Sequence, residues 1–188
     1  MTGNSELHGR LLEARLHGMS AMAADRFAGG GYNHWDMMRL GTKANLPDLL
    51  AALLPGQIAT INARLPQRQV VADRYRSAFS DSPLQLVEQL DECTSAEHIF
   101  PIGIKNGRRD EAIALLNAAG VPVTVNYRSV PGTTYYRQRY GDLTEQYPIS
   151  QQWGLDTLTL PLYPSLLPGE QEYIIEAVRR DVYPLLEG

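Results

Sequence analysis

Apolar residues recur with a helical period in the first eighty positions of the chain and with a mixed period afterwards. Asn4 and Ser5 precede Leu7, Leu11 and Ala14, a spacing that predicts a short capped helix, and His17-Gly18 supplies a left-handed stop for it. Residues 19–44 show no period and contain the break Gly29-Gly30-Gly31. A helix is predicted to open near Leu46, with Asn45 as its cap and Asp48 in its first turn, and to end or kink at Pro55-Gly56. A second helical stretch runs from about Ile58 to Phe79, with an interruption predicted at Pro66.

Past a loop over residues 80–97 the pattern changes. His98 to Lys105 places Phe100, Ile102 and Ile104 on one face, as a strand does, and Pro101 predicts an edge position or a bulge. Asn106-Gly107 is a turn pair. Arg109 to Ala119 reads as a helix closed by Gly120, Val121 to Tyr127 as a second alternating strand, and Leu158 to Leu162 as a third. Pro168 suits the first turn of a last helix that buries Ile174, Val178 and Val182, with Tyr173 and Ala177 beside them. The expected organisation is a helical segment, residues 1–82, and a small α/β lobe, residues 83–188.

Composition narrows the function classes. The chain has 188 residues, 44% hydrophobic and 20% charged, with a net charge of -4 and no long run of one sign. That balance argues against nucleic acid as a partner, because phosphate binding needs clustered Lys and Arg. The single cysteine, Cys93, excludes an intrachain disulfide. No signal-like segment and no membrane-length apolar run is present, so a cytoplasmic location with no membrane partner is the expectation. Only two lysines occur, Lys43 and Lys105.

Self-standing chemistry is sparse. His8, His17, His34 and His98 lack metal-ligand spacing, so no metal is expected. Cys93 and His98 are five residues apart in a loop and a strand, a pairing that is ordinarily inert. The one promising stretch is Gly41-Thr42-Lys43-Ala44-Asn45-Leu46-Pro47-Asp48. A helix mouth offers free N–H groups, and Lys43 and Asn45 add a charge and an amide, so an anion site is one reading and simple capping by Asn45 the other.

Taken in order, several runs resemble the DegT/StrS-type sugar aminotransferases. They are Leu16-His17-Gly18-Met19, then Gly41 to Ala52, Gln57-Ile58, Arg68 and Tyr75, then Glu97-His98-Ile99-Phe100, Gly120 to Arg128, Tyr135-Tyr136-Arg137 and Leu160 to Pro164. The subgroup acting on UDP-linked 4-keto-arabinose is the most similar. The resemblance implies an α/β fold, the C-terminal portion of the aspartate-aminotransferase fold (fold type I), with a short, mainly antiparallel sheet. It also implies pyridoxal phosphate as cofactor, a homodimer with sites at its interface, and amino transfer to a nucleotide-linked ketosugar. Asn45, with Lys43 beside it, would reach the cofactor phosphate of the partner subunit. Tyr127 and Arg128 would face the sugar nucleotide, with lobe packing as the alternative for Tyr127. His17 and Tyr163 are left as structural.

The same resemblance sets a limit. The family's Schiff-base lysine belongs to its large lobe, and neither Lys43 nor Lys105 aligns with it. Met1 to Leu7 aligns just after that region. Asn126 and Thr42 stand where the family has His and Tyr, and Pro55 and Pro66 fall in helices that are usually continuous. Three readings follow: an aminotransferase portion, inactive alone, that needs a separate N-terminal half; a non-catalytic interaction or regulatory module, or degenerate remnant, of the same descent; and a plain small-ligand binder at the helix mouth near Asn45.

Overall fold

The computed structural model describes residues 2–20, 36–90 and 92–187. The Gly29-Gly30-Gly31 break and His34 lie outside the described residues. Two compact units emerge, Met1–Ala59 and Thr60–Gly188. This division falls earlier than the boundary near residue 82 drawn from the sequence. The reason is that the distal half of one long helix is buried among the C-terminal elements.

In the first unit, α1 (Ser5–Ala14) is capped by Asn4, whose side chain accepts the Leu7 N–H at 2.9 Å. His17 and Gly18 both take positive φ after it. A Cβ at Gly18 would overlap the Arg39 carbonyl, so this turn requires glycine. The chain returns alongside it: the Thr42 N–H donates to Ala14 O at 2.8 Å and the Ala44 N–H to Arg15 O at 2.8 Å. Glu13 and Arg39 pair at 2.5 Å across the same junction. α2 spans only Asp48–Ala51, preceded by Pro47 with no side-chain cap. The cap expected at Asn45 is therefore absent, because Pro47 itself sets the extended conformation that starts the turn.

α3 (Leu54–Phe79) runs 26 residues and contains Pro66. The interruption expected there does not occur. Pro55 lies in the first turn, where an N–H would be unpaired anyway. Pro66 forfeits its bond to Asn62, at about 3 kcal/mol, and the packing of the residues beyond it offsets that loss. Val71, Ala72, Tyr75 and Phe79, at helical spacing, are buried.

The second unit packs these residues on a three-stranded antiparallel sheet, ordered β1 (Gln85–Leu86), β2 (Phe100–Gly103), β3 (Thr157–Leu160). Pro101 sits in the central strand, opposite Thr159. Alternation along the ladder turns its nitrogen toward β1, and β1 has already ended opposite Ile102, so no ladder bond is lost. The strand expected over 121–127 reduces to one bridge, Thr124 with Thr159. β1 falls in the stretch read as loop.

α4 (Arg109–Ala118) follows the Asn106-Gly107 turn, where both residues have positive φ. α5 (Thr134–Tyr140), a 3₁₀ turn and α6 (Pro148–Asp156) lead to β3, and α7 (Pro168–Asp181) and α8 (Tyr183–Leu186) close the chain. α7 buries Ile174, Ile175, Ala177 and Val178 against the sheet and α3, whereas Tyr173 stays half exposed and donates its hydroxyl to Ala119 O at 2.7 Å.

Polar bonds fasten α3 to α7. Gln171 Nε2 donates to Val71 O at 2.7 Å inside the core. Arg74 donates to Pro168 O at 3.0 Å and pairs with Glu172. The Tyr75 hydroxyl donates to Pro161 O at 3.0 Å. Burial, and secondly the nearby Tyr163, push the Tyr75 phenol well above its ordinary value. The neutral form is therefore favoured in the folded state. Its contribution is complete below about pH 10 and declines as pH rises toward the folded value. Urea unfolding near pH 9 and pH 11 should show stability falling with pH, and Tyr75→Phe should flatten part of that slope. At the same core, Phe79→Ala should cost about 3–5 kcal/mol.

Candidate functional site

Lys43 and Asn45 lie in the first unit, on the segment that returns beside α1. Lys43 is bridged to Leu16 through the backbone, which fixes its Cα while its side chain is exposed. Asn45 is half-buried two residues on and caps no helix. α2 is a single turn that begins with Asp48. Its carboxylate opposes an incoming anion, so the helix mouth expected as a phosphate cradle is not built here. What remains is a cation and an amide two positions apart on the segment held by the Leu16–Lys43 pairing.

Tyr127 and Arg128 lie in the second unit. Tyr127 follows a cis peptide after Asn126 and is 64% exposed. The lobe-packing alternative for this ring is thus not what the structure shows. Arg128 is exposed and lines a small cavity of about 40 Å³ with Ser129, Gly132, Gln151, Gly154 and Leu155. Close backbone approach anchors this corner, for a Cβ on Gly154 would collide with the Ser129 nitrogen. Ser129 is buried and its hydroxyl meets that of Ser150 at 3.0 Å.

Two larger cavities lie in the same unit. One, of about 370 Å³, runs between residues 86–90, 93–95 and 97–101 and is floored by Arg76, Glu97 and Phe100. Glu97 is 4% exposed and accepts from Arg76 at 2.6 Å, and the Arg76 guanidinium lies 5.9 Å from the Phe100 centroid. Desolvation would lower the Arg76 pKa, but the bonds to Glu97 and Asp73 outweigh it and the net shift is upward. Cys93 and His98 both line this cavity, yet among the described residues they share no hydrogen bond. The other cavity, of about 440 Å³, is walled by Val121, Pro122, Pro161, Tyr163, Tyr173 and Ile174. The sequence carried no signal for either: the second joins segments distant in the chain, and the first is shaped by a loop folding over the strand that follows it and over Arg76.

Pyridoxal phosphate requires an amine at its aldehyde, a partner for its ring nitrogen and donors for its phosphate. Lys105 is exposed where the chain leaves β2 for the Asn106-Gly107 turn, and Lys43 is exposed beside α1. Neither lysine lines any of the three cavities. The residues described here therefore do not fit the whole cofactor. They offer a phosphate contact at most. No cluster of three His, Cys, Asp or Glu side chains suited to a metal occurs among the described residues. Among the same residues, no helix is long and apolar enough to cross a membrane.

Comparison with known proteins places this architecture. The model of the DegT/DnrJ/EryC1/StrS aminotransferase family matches residues 1–179. Among solved structures, the chain superposes on Spr1654 of Streptococcus pneumoniae, assigned as a sugar aminotransferase, in its PMP form with a TM-score of 0.86 and 25% identity. That match covers 98% of this chain and 47% of Spr1654. The PLP form of the same protein gives a TM-score of 0.83 at 25% identity, covering 98% and 45%. A DegT/DnrJ/EryC1/StrS aminotransferase from Brucella abortus gives 0.77 at 26% identity, covering 97% and 45%. The fold is that of the type I pyridoxal-phosphate aminotransferases, and the chain spans about half the length of these structures.

The geometry at Asn45 generates a direct expectation. A capping asparagine replaced by alanine costs about 1 kcal/mol. Asn45→Ala should change thermal stability by less than about half of that, whereas Asn4→Ala should show the full capping cost in the same melting experiment.

Proposed function

The chain belongs to the DegT/DnrJ/EryC1/StrS aminotransferase family, and we propose that it is the C-terminal portion of a pyridoxal-phosphate-dependent aminotransferase acting on a nucleotide-linked ketosugar, in the cytoplasm, for polysaccharide or lipid A sugar synthesis. The observation that carries this reading is the family match over residues 1–179 together with a superposition that spans only 47% of Spr1654. In this reading the Schiff-base lysine belongs to the N-terminal half of the fold, and the residues present here are inactive without it. The exposure of both of its own lysines supports that assignment. Bound cofactor would supply an electron sink for the amino group in transit.

This chain's own residues take recognition roles. Asn45, with Lys43 beside it, donates to the cofactor phosphate of the partner subunit in a homodimer. Tyr127 and Arg128 face the sugar nucleotide, one as a ring surface and the other as a charge for its phosphates. Their exposure on the second unit supports this assignment.

A second reading, a non-catalytic interaction or regulatory module or a degenerate remnant of the same descent, draws on the apolar surface of α2 and the start of α3. Leu49 is 82% exposed, Leu53 65%, Ile58 68% and Ile61 59%. Exposed apolar side chains on this scale mark a surface built to be covered.

Mixing separates the two. The purified chain with pyridoxal phosphate, glutamate and a UDP-linked ketosugar should give no turnover and no change in the visible spectrum of the cofactor. Addition of a polypeptide bearing the lysine half should restore both. Turnover by the chain alone would overturn the proposal. An unchanged spectrum in every mixture, with stable self-association of the chain, would favour the second reading.

A further inference from the structure

Tyr127, Tyr135, Tyr136, Tyr140 and Tyr147 are five of the ten tyrosines in the chain, gathered within 21 residues. Each is exposed, from 43% at Tyr136 to 64% at Tyr127. α5 stands at the centre of this run. It buries nothing, and its sequence, Thr-Tyr-Tyr-Arg-Gln-Arg-Tyr, holds no aliphatic side chain. A helix that adds nothing to the core yet displays three aromatic rings calls for a ligand that uses rings.

The rings are already ordered. Tyr135 and Tyr136 meet edge to face, with centroids 5.5 Å apart, and Tyr136 and Tyr140 lie 5.9 Å apart at 31°. Charge is sorted around them. Arg137 pairs with Asp142 at 2.7 Å. Asp142 also accepts the Thr144 hydroxyl at 2.6 Å and its N–H at 3.0 Å. Those bonds, more than Arg137, hold its carboxyl below the usual range. Arg139 has no carboxylate partner among the described residues. Its guanidinium carbon lies 5.6 Å from the Tyr140 centroid, and Nε donates to the Tyr140 hydroxyl at 3.1 Å. The result is an aromatic surface with one unneutralised cation at its edge. Two successive turns, Gly132 N–H to Ser129 O at 3.2 Å and Thr133 N–H to Val130 O at 3.0 Å, lead from Arg128 directly into it.

We propose that the exposed face of α5, formed by Tyr135, Tyr136, Tyr140 and Arg139, is a platform for the nucleoside diphosphate end of the substrate. The base stacks on the tyrosines and a phosphate meets Arg139. This rests on the reading that the substrate is a nucleotide-linked sugar. It extends that reading from Tyr127 and Arg128 to a helix with no assigned role. A second copy of the chain is the competing occupant. The uncompensated arginine at the edge of the rings favours a planar anion, since base stacking on aromatic side chains beside a cation is how nucleotides are held.

Titration of the intact chain with UDP, uridine and inorganic pyrophosphate, followed by tyrosine fluorescence and calorimetry, tests the proposal. UDP should bind and alter the tyrosine emission, and uridine should bind more weakly. Tyr136→Ala should weaken UDP on the order of tenfold, the effect of losing one stacking ring, whereas Tyr136→Phe should retain binding. Arg139→Gln should weaken UDP but leave uridine unchanged. Circular dichroism should match the wild type throughout, because these residues are exposed. Absence of UDP binding to the wild-type chain, or equal binding by all variants, would overturn the platform. So would self-association abolished by Tyr136→Ala with nucleotide binding intact. If UDP binds but the variants are indifferent, the platform fails while the nucleotide-sugar reading stands. If the reconstituted enzyme aminates only sugars without a nucleotide, that reading fails by itself.

Discussion

Tyr75 is fully buried, flanked by Phe79 along its own helix and by Phe100 from the central strand, with its hydroxyl spent on the Pro161 carbonyl. The rest of the C-terminal unit is arranged around that placement. The same helical face supplies Val71 and Ala72 to the sheet, and the Val71 carbonyl takes the buried amide of Gln171. Once these contacts form, α7 is fastened to α3, and both share one core with the sheet. A polar group in such a core must find its partner, because an unmet one costs 1–3 kcal/mol. Tyr75 and Gln171 each do, so the packing is specific as well as apolar.

That arrangement explains why Pro66 is tolerated. A proline inside a free helix would break it, and helices in proteins draw most of their stability from tertiary burial. Here the turns beyond Pro66 are held by the sheet and α7. The turns before it bury nothing, and Leu54, Ile58 and Ile61 remain exposed. One helix therefore has two characters, core on its distal half and unpaired surface on its proximal half. Family membership and the half-length match give that surface its context.

The distribution of chemistry follows the same division. The first unit offers a cation and an amide at Lys43 and Asn45, on a backbone held by its pairing with the end of α1. The second offers rings and guanidinium groups, from Tyr127 and Arg128 into α5. Neither unit builds an enclosed amine. Exposed polar and aromatic groups are well represented among the described residues, and both lysines are exposed.

The sequence by itself determined the capped helix at Asn4, the turn at Asn106-Gly107, α4 with its glycine stop, the strands around Ile102 and Leu158, and α7 from Pro168. Each depends on local spacing or on a residue whose backbone preference is strong. The ordered family motifs were legible for the same reason. Tertiary structure decided the rest. It kept α3 whole through Pro66, put Pro101 in a central strand beside a neighbour that stops short, and reduced the 121–127 alternation to one bridge. It moved the helix cap from Asn45 to Pro47 and left Tyr127 on the surface. α5 and α6 escaped notice because they bury few apolar residues at helical spacing. The cavity walled by Val121, Pro161 and Tyr173 and the Arg76–Glu97 pair escaped because they join separate segments of the chain, and contacts of that kind exist only once the core has closed.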